Sequence, residues 1–166
     1  MPAGGSVSAL VVAMAAGLVG MAARVSGDLG AVAQAESIRQ LVAPLAAEDA
    51  RAYRKALETM RAPAGDKPEQ RDEAIRRALV RAAQVPLRIA EAAGSAASLA
   101  ASVAERGSEA VRGDAAAAAL LSAAAARAAA NLVAINLAAG TEDELVARAR
   151  SVADDAVDSA RFVLDL

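Results

Sequence analysis

The sequence predicts an all-α protein, a bundle of five or six long alanine-rich helices that forms a homodimer. Hydrophobic residues make up 56% of the 166 residues and aromatic residues only 1%. Alanine, which has the highest helix propensity, therefore supplies most of the apolar surface. Each buried alanine removes little area from water, so we expect helices that pack closely and also contact a second subunit. The length fits a single domain that spans residues 1–166.

The composition excludes several kinds of chemistry. The chain contains no cysteine and no histidine, which excludes disulfides, thiol catalysis and the common zinc sites, and fits a cytoplasmic location. Acid–base chemistry is left to carboxylates, Tyr53, Lys55 and Lys67. The 18 basic and 20 acidic residues give a formal charge of −2. No basic stripe is interleaved with aromatic residues, so we expect no nucleic-acid partner.

The apolar run at residues 7–23 predicts the first helix. It is short for a membrane span, is rich in alanine and glycine, and ends at Arg24. No basic residues precede it, as they would in a signal peptide. We interpret it as a buried core helix and expect no membrane partner. Gly4 and Gly5 predict a sharp turn ahead of this helix, with Ser6 as its N-cap, an arrangement that can hold an anion.

Proline and glycine residues predict where the middle helices begin and end. A helical stretch at residues 29–60 is expected to break near Pro44, and a loop follows at residues 62–66. The next helix begins close to Pro68, and we expect Pro86 to interrupt it.

The second half of the chain predicts two further helices. Gly107 and Gly113 are expected to bracket a short loop, after which Asp114 caps an alanine-rich helix that ends near residue 140. Thr141 and Glu144 predict a capping box for the last helix.

Five sequence features together resemble a known family. In chain order they are MPAGGSVSAL, EDARAY, QVPLRIAE, the helix start at Asp114, and AINL. Their order and spacing resemble formiminotetrahydrofolate cyclodeaminase and the bacterial methenyltetrahydrofolate cyclohydrolases of the same family, over nearly the whole chain. The resemblance implies an all-helical homodimer that acts on the one-carbon unit between N5 and N10 of tetrahydrofolate. A tetrahydrofolate derivative would be the substrate, without a metal or a protein-bound cofactor.

The resemblance also implies roles for single residues. Asp49 matches the position of the family's proposed catalytic aspartate. The family's glycine-rich turn matches Gly4, Gly5 and Ser6. Its polar loop and helix positions match Asp114 and Asn136. Two further candidates for substrate binding follow from side-chain chemistry. Arg112 carries a guanidinium group that pairs well with the glutamate tail of a folate. Tyr53, one helical turn after Asp49, could stack on a pterin or fill a gap in the core.

A carboxylate at Asp49 suits both reactions of the family. The methenyl intermediate is a delocalised cation, which a partly buried carboxylate would stabilise. In a cyclodeaminase, a lyase, N10 attacks the formimino carbon and ammonia leaves, so Asp49 would accept and return a proton. In a cyclohydrolase it would activate water. The sequence leaves the choice between the two reactions open.

Each candidate residue also has a purely structural interpretation. Asp49 fits a solvated helix face with charged neighbours, and the glycine–serine segment fits an ordinary helix cap. Asp114 fits an acidic residue at the positive end of a helix dipole, and Asn136 fits a helix end.

The chain departs from the family pattern at several positions. Ala3 replaces the first glycine of the usual triplet, Ser108 and Gly113 stand where asparagine and serine are usual, and Leu132 replaces an asparagine. The family also has a helix ahead of the glycine turn, whereas this chain begins at Met1. These departures support a second hypothesis, a diverged non-catalytic helical interaction protein that retains the fold.

Overall fold

The computed structural model describes residues 4–63, 68–137 and 143–166 of the chain. In these three segments the chain forms α-helices, one short 3-10 helix at Glu109–Val111 and no strand. The helices are α1 (Gly4–Val25), α2 (Leu29–Val42), α3 (Leu45–Arg61), α4 (Pro68–Arg106), α5 (Arg112–Leu137) and α6 (Glu144–Leu164). The prediction of an all-α bundle of five or six helices is confirmed.

Alanine and valine side chains form most of the core, which allows the helices to approach one another closely. A Cβ on Gly94 of α4 would lie 2.7 Å from Cγ1 of Val152 of α6, and one on Gly20 of α1 would lie 3.2 Å from Cβ of Ala35 of α2. At these crossings there is little or no room for a side chain on the glycine. The predicted close packing of helices is confirmed.

Segments of four helices meet at one end of the bundle, as the contacts between α3 and α4 begin to show. Arg88 of α4 pairs with Glu48 at the start of α3, with 2.7 Å between Nη1 and Oε1. Arg71, near the start of α4, donates to the carbonyl of Met60 near the end of α3 at 3.1 Å. The two helices are therefore antiparallel. The beginnings of α1 and α3, the first half of α4 and the end of α5 meet at this end.

Pro44 and Pro86 have different effects on the helices. The predicted break at Pro44 is confirmed, because α2 ends at Val42 and α3 begins at Leu45. The predicted interruption at Pro86 is wrong, since α4 continues through it to Arg106. At this point Nδ2 of Asn136 in α5 donates a hydrogen bond to the carbonyl of Ala82, four residues before the proline, at 3.1 Å.

The predicted caps of α1 and α5 are also wrong. Gly4 and Gly5 are helical, so Ser6 lies in the first turn of α1 and does not cap it. The short 3-10 helix leads directly into α5, so the predicted loop up to Gly113 is not formed. Asp114 therefore lies in the first turn of α5, where its charge still faces the positive end of the helix dipole.

The start of α6 differs from the predicted capping box. Thr141 of that box lies outside the described residues, as does the expected end of α5 near residue 140. The N-cap of α6 is Asp143, whose side chain accepts a hydrogen bond from the backbone N–H of Leu145 at 2.9 Å. Glu144 is the first helical residue.

Two helical stretches, Gly4–Val25 and Glu109–Leu137, are long and apolar enough to cross a membrane. In the most apolar part of the first stretch, 44% of the residues are buried inside the bundle, and in that of the second stretch 50% are buried. Core helices of soluble proteins meet the same criteria of length and composition. The expectation of no membrane partner stays a prediction.

Candidate functional site

The side chain of Asp49 lies directly against the start of α1. A Cβ built on Gly5 would overlap the carboxyl group of Asp49. The carboxyl group thus fills the space that a side chain at residue 5 would need. Gly5 is buried and Asp49 is partly buried. The role of this glycine is to permit a close approach between α1 and α3, and not to form the sharp turn that the sequence predicts.

Ser6 lies at the same end of α1 and contacts the start of α3. Its hydroxyl donates to the carbonyl of Ala46 at 2.7 Å and lies 3.4 Å from Oδ2 of Asp49. The backbone N–H of Ser6 also lies close to this carboxyl group and favours its charged form, which lowers its pKa. The first N–H groups of a helix have no partners within it and carry the positive end of its dipole. Asp49 therefore faces a cluster of donors.

Burial raises the pKa of Asp49 above its ordinary value, because the partly desolvated carboxylate loses hydration. The hydroxyl and the backbone N–H of Ser6, both close to the carboxyl group, lower its pKa, and burial is the larger effect. A carboxyl group with a raised pKa holds its proton closer to neutral pH. This property suits a group that must accept and then return a proton.

The end of α5 forms a further wall of the site. A Cβ on Gly4 would lie 3.4 Å from Cδ1 of Leu132, so α5 passes beside the start of α1. One turn later, Nδ2 of Asn136 donates to the carbonyl of Ala82 in α4 at 3.1 Å. Tyr53 is partly buried one turn after Asp49 on α3. The site thus lies within a ring of four helices, α1, α3, α4 and α5.

Two of the predicted site residues lie elsewhere in the subunit. Arg112 and Asp114 are at the beginning of α5, whereas the side chain nearest to a Cβ on Gly4 is that of Leu132, near the end of α5. At about 1.5 Å per residue, Asp114 lies roughly 27 Å along the helix from Leu132. The structure therefore brings together Gly4, Gly5, Ser6, Asp49 and the end of α5, and it does not bring Arg112 and Asp114 to them.

Sequence reasoning missed the residues that hold these helices together. Two of the hydrogen-bond acceptors are the backbone carbonyls of Ala46 and Ala82, and the side chain of alanine gives no indication of such a role. Pro86 did indicate the second of these acceptors, because a proline inside a helix frees the carbonyl four residues earlier, which is that of Ala82. Among the described residues, no group of three or more acidic side chains is placed to hold a metal ion.

We expect Gly5→Ala to lower the free energy of unfolding. The added Cβ must displace the carboxyl group of Asp49, and such overpacking costs about 1–3 kcal/mol. Gly30→Ala in α2 is the control, because its Cβ would meet nothing closer than Oδ1 of Asp28 at 3.4 Å. The control should be neutral or more stable by roughly 0.5–1 kcal/mol, since alanine favours a helix. Urea unfolding measures both variants, and equal stability of the two would contradict the observed contact.

We expect Ser6→Ala to raise the pKa of Asp49 further. The serine hydroxyl stabilises the charged carboxylate, so its removal favours the protonated form. Titration of the Asp49 carboxyl carbon by ¹³C NMR measures the shift. Ser8→Ala is the matched control, since that hydroxyl donates to the carbonyl of Gly4 within α1 at 2.9 Å. A pKa in Ser6→Ala at or below that of the unsubstituted protein would rule out this role for the hydroxyl.

Comparisons with known proteins agree with this architecture. The structure is similar to the crystal structure of formiminotetrahydrofolate cyclodeaminase from Thermotoga maritima, with a TM-score of 0.87 and 22% sequence identity. The match covers 99% of this chain and 86% of that chain, and at this identity it shows a common fold. No curated protein sequence matches. A family model described as Formiminotransferase-cyclodeaminase matches residues 1–155, and the chain therefore belongs to the formiminotransferase-cyclodeaminase family.

Proposed function

We propose that the protein is a folate-dependent one-carbon enzyme, either a formiminotetrahydrofolate cyclodeaminase or a methenyltetrahydrofolate cyclohydrolase. The observation that carries the proposal is the carboxyl group of Asp49, partly buried against Gly5 at the start of α1. Family membership supports the substrate class. The raised pKa of Asp49 supports a role in proton transfer.

As a cyclodeaminase, the site would close a ring on the folate. N10 attacks the formimino carbon, and Asp49 would accept the N10 proton as the new bond forms. Asp49 would then give this proton to the formimino nitrogen. A second proton, from solvent, completes ammonia as the bond between carbon and this nitrogen breaks. The product is the methenyl cation, which the carboxylate would stabilise.

As a cyclohydrolase, the site would act on the same cation as its substrate. Asp49 would take a proton from water while the water oxygen adds to the methenyl carbon. The ring then opens as the bond from this carbon to one of the two folate nitrogens breaks. Asp49 would return its proton to that nitrogen, and the remaining hydroxyl proton would leave to solvent as the formyl C=O forms. Both reactions need one carboxyl group beside a cationic pterin adduct. Neither step calls on a metal or a protein-bound cofactor.

We also propose a homodimer that forms through α1. Along most of α1, residues that face solvent recur at intervals of three and four, among them Val7, Leu10, Met14, Gly17 and Met21. This is the spacing of a seam between two packed helices. Val7, Leu10 and Met14 are 54%, 52% and 65% exposed. A second copy that covers this row would remove a continuous apolar surface from water.

An antiparallel pairing of the two α1 helices about a twofold axis would bring opposite ends of two subunits together. The start of α1, with Asp49, would then face the end of the bundle where α5 of the other subunit begins. The partner subunit's Arg112 and the partner subunit's Asp114 could in this way reach the substrate. The guanidinium group would pair with the carboxylate of the folate tail.

A second candidate function is that of a non-catalytic interaction protein. The observation that favours it is Leu132, an apolar side chain beside Gly4 at a position where the resemblance implies an asparagine. Calorimetric titration with tetrahydrofolate derivatives separates the two candidates. Saturable binding supports the enzyme, and an absence of binding supports the interaction protein.

We expect Asp49→Asn to abolish most of the catalytic activity. Loss of a positioned acid–base group lowers kcat by about 10²–10⁴-fold, while KM should change little. The absorbance band of the methenyl group follows both reactions. Asp155→Asn is the control, because this residue is exposed on α6. Equal turnover by Asp49→Asn and the unsubstituted protein would remove Asp49 from the mechanism.

We expect Leu10→Glu to convert the dimer to a monomer, because it places a charge in the apolar row of α1. Light scattering after size-exclusion chromatography measures the mass of the particle. Leu41→Glu is the matched control, since Leu41 is 53% exposed and lies in a groove between α2 and α4. It should remain a dimer. A monomeric unsubstituted protein would contradict the proposal, and one that stays in solution only with detergent would favour a membrane partner.

A further inference from the structure

Pro86 leaves one carbonyl of α4 without its helical partner. Proline has no N–H, so the carbonyl of Ala82, four residues earlier, cannot receive the usual hydrogen bond. Ala82 is 2% exposed and Pro86 less than 2%. Bulk water therefore has little access to this carbonyl. A buried carbonyl without a donor destabilises a protein, so the fold needs a substitute.

Asn136 supplies the missing donor. Its Nδ2 donates to the carbonyl oxygen of Ala82 at 3.1 Å, although 54 residues separate the two in the sequence. Asn136 is partly buried near the end of α5. Because its Nδ2 is bonded to α4, the orientation of the amide group is fixed. The bond also ties the end of α5 to the segment of α4 that contains the proline.

The same segment of α4 also contacts α3, the helix that carries Asp49. Arg88, two residues after Pro86, pairs with Glu48 at 2.7 Å, and Glu48 precedes Asp49 in α3. One turn before Asn136, Leu132 of α5 lies against Gly4. The bond between Asn136 and Ala82 therefore joins the two sides of the site into a closed ring.

We propose that Asn136 is a positioning residue whose side chain replaces the backbone hydrogen bond that Pro86 removes, and that it thereby holds α5 against the Asp49 site. Pro86 and Asn136 form one structural unit that spans two helices. Without the asparagine, the buried carbonyl of Ala82 would lose its donor and the end of α5 would move away from α4. The consequence for catalysis rests on the proposed function, whereas the coupling between the two residues does not.

The coupling can be measured by combining Asn136→Ala with Pro86→Ala. With alanine at position 86, a backbone N–H is again available to the carbonyl of Ala82, so the asparagine is no longer needed. We expect Asn136→Ala to lower the equilibrium constant for folding about tenfold when Pro86 is present, and less than about twofold when it is absent. Equal losses in the two backgrounds would overturn the proposal.

Asn131 offers a control on the same helix. It is exposed and lines a groove of 330 Å³ between α5 and α6. Asn131→Ala should change the folding constant by less than about twofold in either background, as surface substitutions do. If a variant does not fold, hydrogen exchange in the unsubstituted protein gives a second test. The side-chain amide protons of Asn136 should exchange more slowly than those of Asn131, and equal rates would overturn the proposal.

Activity separates a positioning role from direct contact with the substrate. In the folate assay, we expect Asn136→Ala to lower kcat and the double variant with Pro86→Ala to recover part of the loss. A double variant as inactive as Asn136→Ala would show that the asparagine acts on the substrate, which would overturn the positioning role. If the unsubstituted protein turns over neither folate, the proposed function fails, and the folding measurements still test the coupling.

Discussion

The contact between the carboxyl group of Asp49 and the backbone of Gly5 determines the rest of the site. Because residue 5 has no Cβ, α3 can approach the start of α1 until the carboxyl group fills the space of the missing side chain. The same close approach removes water from the carboxyl group and raises its pKa. One steric condition thus accounts for both the position and the proton affinity of the group.

An alanine core explains why the candidate site lies at the ends of the helices. Small side chains let long helices pack closely, as where Gly94 meets Val152, but they bury little area per residue. Such close contacts leave little space between the described helices where they cross. The helix ends, by contrast, offer unpaired N–H groups. On α1, the larger apolar side chains of Leu10 and Met14 instead point outwards.

The sequence predicted what local rules determine and missed what distant residues determine. Helix propensity and periodicity were enough for the all-α class, and Pro44 was enough for the break between α2 and α3. The same rule failed at Pro86, because the compensating donor is 54 residues away. The pairing of Gly5 with Asp49 came from the resemblance, since no periodicity links α1 to α3. The distance of Arg112 from this pair followed only from the direction of α5.

The electrostatics of Asp49 suit a reaction in which positive charge appears or disappears on the substrate. The N-terminus of α1 favours the carboxylate, while burial favours the protonated form. A cationic methenyl group close to this carboxyl would tip the balance towards the carboxylate. In the deamination, the charge that develops on the carbon would therefore keep Asp49 ionised once it has given its proton to the formimino nitrogen. In the hydrolysis, the cation would hold Asp49 as a base until water has added. A single carboxyl group would thus suit both the reaction that forms the methenyl cation and the reaction that consumes it.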